Sequence, residues 1–273
     1  MTIHDGILKK MDTLLGDELS GHDNTVQYYL RIGDVNVWVN RWLGKRLELT
    51  YRHEIRCIHC GRVTKTSFAQ GYCYSCFIRL PETDECVLHP ELCRAHEGVS
   101  RDMEWSMEHC LQDHIVYFAV SSGLKVGVTR ISQVPTRWID QGAWKAIRLA
   151  RTPNRFLAGT MEVSLKGYFQ DKTEWRSMLK NEVDRSVDLV REKWRAAELL
   201  PHDMQQYLVD DDTIVEITYP VLEYPGRVSA LNLDNTDHFA GELTGIKGQY
   251  LIFGDGHVLN IRKHGGYLVS LGY

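Results

Sequence analysis

What this chain lacks narrows its function first. It has no apolar run approaching the roughly 20 residues that a membrane-crossing helix requires. Its opening stretch, MTIHDGILKKMDTLLGDEL, lacks the basic, then apolar, then small-residue order of a secretion signal. The expected address is therefore the cytoplasm, with no membrane partner. Positive charge is not in excess either: 32 Lys and Arg face 36 Asp and Glu, a net charge of −4. That argues against a chain that is basic all over and leaves a local basic face as the electrostatic route to nucleic acid. An even, dispersed set of cysteines is also missing. Six of the seven lie between Cys57 and Cys93, and the seventh is Cys110. An odd, clustered set in a cytoplasmic chain points to metal, not disulfides.

What is present begins with that cluster. Cys57-Ile-His-Cys60-Gly61 is followed, after twelve residues, by Cys73-Tyr-Ser-Cys76. Two CxxC turns each aim a pair of thiolates at one point, and four thiolates complete the tetrahedron that Zn²⁺ favours. Gly61, directly after the second cysteine, suits a knuckle whose backbone amides approach the sulfurs. A redox role needs only one CxxC, and no thioredoxin-like βαβ pattern surrounds this pair. Four protein ligands leave no open position, so this zinc is expected to be structural. A second set follows: Cys86, His89, Cys93, His96, His109, Cys110 and His114. Cys86, Cys93, His96 and Cys110 make a second possible zinc site, with His114 as an alternative fourth ligand. Little apolar sequence surrounds them, and a segment of that kind folds poorly without metal.

The 273 residues, 43% of them hydrophobic, suffice for two or three small domains. Ile7, Leu8, Met11, Leu14 and Leu15 sit at helical spacing, which predicts an amphipathic helix over 5–18. Residues 26–32 and 35–42 read as strands around the turn Gly33–Asp34, and 46–51 as a third strand. The apolar positions of 172–197 predict one long helix, or two. Residues 200–212, with Pro201 and the run Asp210–Asp211–Asp212, read as a linker. Five β segments follow at 214–219, 241–246, 249–253, 258–261 and 267–271, and are expected to join the N-terminal three in one small barrel or sandwich. Lys247, Arg262, Lys263 and His264 flank glycine turns, as either a phosphate-binding face or a solvated sheet edge.

Residues 113–170 carry the sharpest functional signal. In HIVYFAVSSGLKVGVTR, strands at 115–120 and 124–129 flank the turn Ser121–Ser122–Gly123. Helix-like segments follow, the first with Arg137 and Trp138, the second with Glu162. This stretch resembles the GIY-YIG nuclease superfamily. Val116–Tyr117 matches the end of the first motif and Lys125-Val126-Gly127 the second, while Arg137 and Glu162 match the helix arginine and the metal-binding glutamate. Lys125 stands where the second-motif tyrosine is found. The resemblance implies phosphodiester hydrolysis with one divalent metal: Tyr117 positioning or deprotonating water, Arg137 stabilising phosphate charge, Glu162 holding Mg²⁺ or Mn²⁺. Lys125 would be a phosphate contact or an unusual base. Arg130, Arg148, Arg151 and Arg155 add local positive charge, and Trp138 and Trp144 are either base-stacking or buried. Nucleic acid, DNA or RNA, is the implied partner.

The whole chain, in its CIHCG, GYCYSCF, CRAH, TPNRFLAG, GIKGQYLIF and NIRKHGGY pieces, also resembles the uncharacterised bacterial domain-of-unknown-function family 2797. The expected fold class is α+β. Its expected parts are an N-terminal helix and strands (1–52), a zinc-binding region (53–112), a GIY-YIG-like domain with a helical extension (113–200), and a C-terminal β region (213–273). Two other readings stay open: a non-catalytic nucleic-acid adaptor, and a protein-interaction module in which zinc only holds the scaffold.

Overall fold

The computed structural model describes residues 3–16, 24–169 and 174–273. The strands, in chain order, are β1 (Ile3–Leu15), β2 (Val26–Ile32), β3 (Val35–Trp38), β4 (Arg46–Arg56), β5 (Val63–Thr64), β6 (His114–Val120), β7 (Leu124–Arg130), β8 (Lys145–Thr152), β9 (Ile214–Glu216), β10 (Ser229–Ala230), β11 (His238–Lys247), β12 (Tyr250–Phe253), β13 (His257–Asn260) and β14 (Tyr267–Gly272). The helices are α1 (Tyr74–Phe77), α2 (Met103–His109), α3 (Thr136–Asp140), α4 (Arg155–Lys166), α5 (Trp175–Leu179), α6 (Leu189–Leu199) and α7 (His202–Gln205). The fold class is mixed α+β. Two compact units share the chain: 1–78 with 179–181 and 217–273, and 79–178 with 182–216. The two cysteine clusters thus fall in different units.

In the first unit, N- and C-terminal strands join in one ten-stranded sheet, in the order β10-β13-β12-β11-β4-β14-β1-β2-β3, with β5 paired to β4. The sheet is open: among the described residues its end strands do not pair, so there is no closed barrel. The helix expected over 5–18 is instead the long strand β1 up to Leu15; residues 17–18 lie outside the described residues. Its first half pairs with β14 and its second with β2, and the register to β2 slips by one residue between Lys9 and Asp12. A bulge of this kind reverses the inward–outward alternation. Leu8 and Met11, three apart, are therefore both fully buried, and a bulged strand imitates helical spacing.

The bulge takes Met11 off the ladder, and a side chain replaces the missing strand partners. The Met11 N–H donates to Gln249 Oε1 (2.9 Å), and Gln249 Nε2 donates to the Met11 carbonyl (3.1 Å). Gln249→Met keeps the side-chain length but strips both partners from buried peptide groups. We expect a loss of about 2–4 kcal/mol in urea unfolding; a loss below about 1 kcal/mol would refute this role.

The second unit is built on the sheet β7-β6-β8-β9. β6 is central and buried along its whole length. Val116, Phe118 and Val120 point to one face, where Ala158, Met161 and Leu165 of α4 and Leu189 and Ala196 of α6 complete the core. Tyr117 takes the opposite face, by the period of two along a strand. The strand β8, between the two helix-like segments, is absent from the sequence reading. The helical stretch expected over 172–197 is two helices, α5 and α6, separated by a turn in which Asn181 has φ +59°; residues 172–173 lie outside the described residues. The expected linker contains the short helix α7, and its acidic run is anchored. Asp212 accepts from the fully buried Lys193 ammonium at 2.9 Å and from Trp194 Nε1 at 3.1 Å. No described helix is long and apolar enough to cross a membrane.

Candidate functional site

The first cysteine cluster grows out of β4. Cys57 directly follows that strand, and Gly61 turns the chain at φ +71° so that its N–H reaches the Cys57 carbonyl at 2.9 Å. Cys73 precedes α1, and Cys76 lies inside it. The four sulfurs lie within 4.8 Å of one another, with Cys60 and Cys73 Sγ 3.8 Å apart. Zn–S bonds of about 2.3 Å in a tetrahedron place sulfurs roughly 3.8 Å apart, so this donor set fits zinc. Burial pushes the Cys57 thiol up, but backbone N–H groups of Cys60, Cys73 and His59 outweigh it and bring it down to about 6. Burial and the neighbouring thiols push Cys76 up to about 12. Cys57 is thus favoured as the thiolate over Cys76, and metal binding displaces the protons that the thiols carry.

The second cluster is assembled from three turns. Asp84 caps the 3₁₀ turn that holds Cys86, Cys93 follows the turn Pro90–Leu92, and Cys110 terminates α2. All three thiols are buried and lie within 4.8 Å of one another. Hydrogen bonds from Cys110 and Cys86 bring Cys93 down to about 3 against the opposing effect of burial. Hydrogen bonds to Cys86 and Cys93, with burial, push Cys110 up. Arg155, the first residue of α4, is only 8% exposed. Its guanidinium donates to Cys86 Sγ (3.3 Å) and to the His109 carbonyl (3.1 Å), and its N–H donates to the Cys110 carbonyl (2.8 Å). The helix N-terminus is therefore fastened to the cluster.

The expected fourth ligand is not in this group. His96 stacks on Phe156, with ring centroids 4.4 Å apart, and its imidazole stands outside the three thiols. His114 donates from Nδ1 to the Gln112 carbonyl (2.7 Å), which leaves Nε2 buried without a hydrogen-bond partner among the described residues. Burial brings its pKa down to about 4. It too lies outside the 4.8 Å group. His89 pairs with Glu91, and His109 stacks on Trp105.

Around the β6–β7 hairpin, residues distant in sequence converge. Tyr117 stands opposite Gly127, and a Cβ at Gly127 would lie 2.7 Å from the phenol oxygen, so the glycine makes room for the ring. Lys125, opposite Ala119, shares that sheet face and is buried. Tyr117 is fully buried and donates to Gln141 Oε1 at 2.9 Å; Gln141 carried no sequence signal. Burial raises the Tyr117 pKa; the Arg137 charge opposes this, nearby Glu162 reinforces it, and a hydrogen bond from Arg137 lowers it. Glu162 is itself nearly buried, with Lys166 Nζ 3.7 Å from its carboxylate.

Several residues expected on a nucleic-acid face are occupied elsewhere. Trp138 is fully buried, edge-on to Tyr117, so a base-stacking role does not fit. Arg155 is committed to the thiol cluster. Arg151 is paired with Asp113. Trp144 is half-buried beneath Lys145 and Arg185. Arg130, Arg137 and Arg148 remain half-exposed. In the first unit, Lys247 is fully buried between the rings of Tyr219 and Tyr224, and His264 is buried with Nε2 accepting from the Leu233 N–H (3.2 Å). A phosphate face made of Lys247, Arg262, Lys263 and His264 is therefore not assembled.

No curated protein and no solved structure matches this chain. A family model described as "Protein of unknown function (DUF2797)" matches residues 44–269, most of the sequence and both cysteine clusters. The chain belongs to that family.

Proposed function

We propose that this protein is a zinc-built nucleic-acid-binding protein whose second unit grips a phosphate at Arg137, and that it binds without cutting. The observation that carries the phosphate reading is the convergence of Tyr117, Arg137 and Glu162 from β6, α3 and α4. Those are the residues the GIY-YIG resemblance singles out. A half-exposed guanidinium has more N–H donors than its contact with the Tyr117 phenol uses, and bidentate phosphate binding needs two of them.

Hydrolysis is the second reading, favoured by the same convergence. Glu162 would hold Mg²⁺ or Mn²⁺, which would polarise the scissile phosphate. A single carboxylate is a normal magnesium ligand, but this one is already neighboured by the Lys166 ammonium at 3.7 Å. Tyr117 is the greater obstacle. With its pKa raised and its hydroxyl donating to Gln141, the phenol stays protonated and out of contact with solvent. General-base catalysis needs a group that can accept the proton, so the geometry favours binding.

The test is direct. Oligonucleotides of DNA and RNA should bind with an affinity that falls as salt rises. Arg137→Ala should weaken binding by about tenfold, the loss of one or two charged hydrogen bonds. No cleavage should accompany Mg²⁺ or Mn²⁺. Cleavage abolished by Glu162→Gln would install the hydrolytic reading instead, and absence of salt-sensitive binding would remove both.

A further inference from the structure

The three thiols of the second cluster face a common space. Cys86, Cys93 and Cys110 all line one cavity of about 300 Å³, whose other walls are apolar at Val99 and Trp105 and charged at Asp84, Arg94 and Arg101. At roughly 30 Å³ per water molecule, that volume corresponds to about ten waters, far more than a metal ion needs. Among the described residues, no fourth histidine, cysteine or carboxylate atom joins the three sulfurs within 4.8 Å. Three protein ligands facing a cavity are the arrangement of an open metal site, whereas four closed ligands mark a structural one.

We propose that the second centre holds its metal through Cys86, Cys93 and Cys110 alone, and that its fourth position opens into this cavity and takes the sulfur of a small exogenous thiol. The inference rests on the metal reading of this cluster and goes beyond it. Charge selects the ligand class. Three thiolates and a divalent ion carry −1, and the Arg155 guanidinium bound to Cys86 returns the local total to zero. One further anionic donor is therefore accommodated at less charge than the four-thiolate centre carries around its own ion. A sulfur-rich site prefers a soft donor, and a wall that sets Val99 and Trp105 beside Arg94 and Arg101 suits a small thiol with a polar tail. Binding is a ligand exchange: the thiol gives its proton to solvent, and its sulfur replaces a metal-bound water.

The full-length chain loaded with ¹¹³Cd distinguishes the two centres in one spectrum. We expect two cadmium ions per chain and two resonances. Titration with 2-mercaptoethanol under anaerobic conditions should move one resonance saturably and leave the other in place. Val99→Phe, a change at an exposed residue of the cavity wall, should raise the thiol concentration needed by at least tenfold while both resonances persist. Two bound ions with neither resonance responding to thiol would overturn the open position. So would a second resonance that moves in His114→Ala or His96→Ala, because an imidazole would then be the fourth ligand. A single ion per chain, lost in Cys60→Ser, would remove the second centre itself and leave only the first.

Discussion

Cys60→Ser is expected to lose one zinc equivalent and to unfold the segment from Cys57 to Phe77 while much of the β-sheet persists. Between those residues only Gly71 and three of the cysteines are buried. Phe68, which stacks on Phe77 at 5.6 Å and meets Tyr74 edge-on at 5.5 Å, remains partly exposed, and Tyr74 is exposed. Such a segment has no apolar core to offset the entropy of ordering some twenty residues, a cost on the order of 1–2 kcal/mol per residue. Zinc binding to small cysteine-rich folds contributes about 10–16 kcal/mol near neutral pH, so a zinc ion held by these four cysteines would stand in for the missing core. The sheet supplies secondary anchors: β5 pairs with the end of β4, and Ser67 Oγ donates to the Gly265 carbonyl at 2.9 Å.

The measurement is zinc content by atomic emission, with limited proteolysis across 57–77. A strong chelator should reproduce the cleavage pattern of the variant, and added zinc should reverse it. Acid should act in the same direction, because protons compete with metal for the thiolates. A variant that keeps its zinc, or a chelated protein whose segment resists protease as well as the untreated one, would refute the assignment.

How much of this was legible in the sequence depends on whether a feature is local. The Cys57–Cys76 pattern is local, since each CxxC fixes its own turn, and the structure brings the four sulfurs together. The second cluster was visible as composition, but its membership was not, because His96 and His114 compete through contacts with Phe156 and the Gln112 carbonyl. The two-residue Gly33–Asp34 turn and the hairpin around Ser121–Gly123 were readable from turn chemistry. β1 was misread because its bulge mimics a helical period. β8 was missed because KAIRLART mixes apolar and cationic residues without clear alternation, as a strand paired on both sides can. The arginines show the same limit at the level of function. Nothing in the sequence says that Arg155 binds a thiol and Arg151 an aspartate, whereas Arg137 stays half-exposed beside Tyr117.

Gly159→Ala should be the most damaging single methyl group in the second unit. On α4, Gly159 faces the turn Pro90–Leu92 with no side chain between the two backbones. A Cβ there would lie 2.2 Å from the Glu91 nitrogen and 2.4 Å from the Pro90 carbonyl carbon. Ordinary contacts between such atoms begin more than 1 Å farther out, and neither neighbour is a flexible side chain that could swing away. Helix and turn must separate. That turn connects Cys86 to Cys93, and Arg155, four residues before Gly159, holds the same cluster through Cys86 and Cys110. Movement at this contact therefore strains the thiol geometry and the core face of α4 together. We expect a loss of about 3 kcal/mol or more, in the range of severe overpacking, with weakened metal binding at the second cluster and zinc at the first intact. Gly167→Ala is the control: it caps the same helix in a helical conformation with nothing within 4 Å of a Cβ. There alanine should be neutral or stabilise by about 0.4–1 kcal/mol. Thermal unfolding and metal content of both variants decide the matter. Equal stability of Gly159→Ala and wild type would mean that α4 and the Pro90–Leu92 turn are not in backbone contact, and that the second cluster does not depend on where this helix sits.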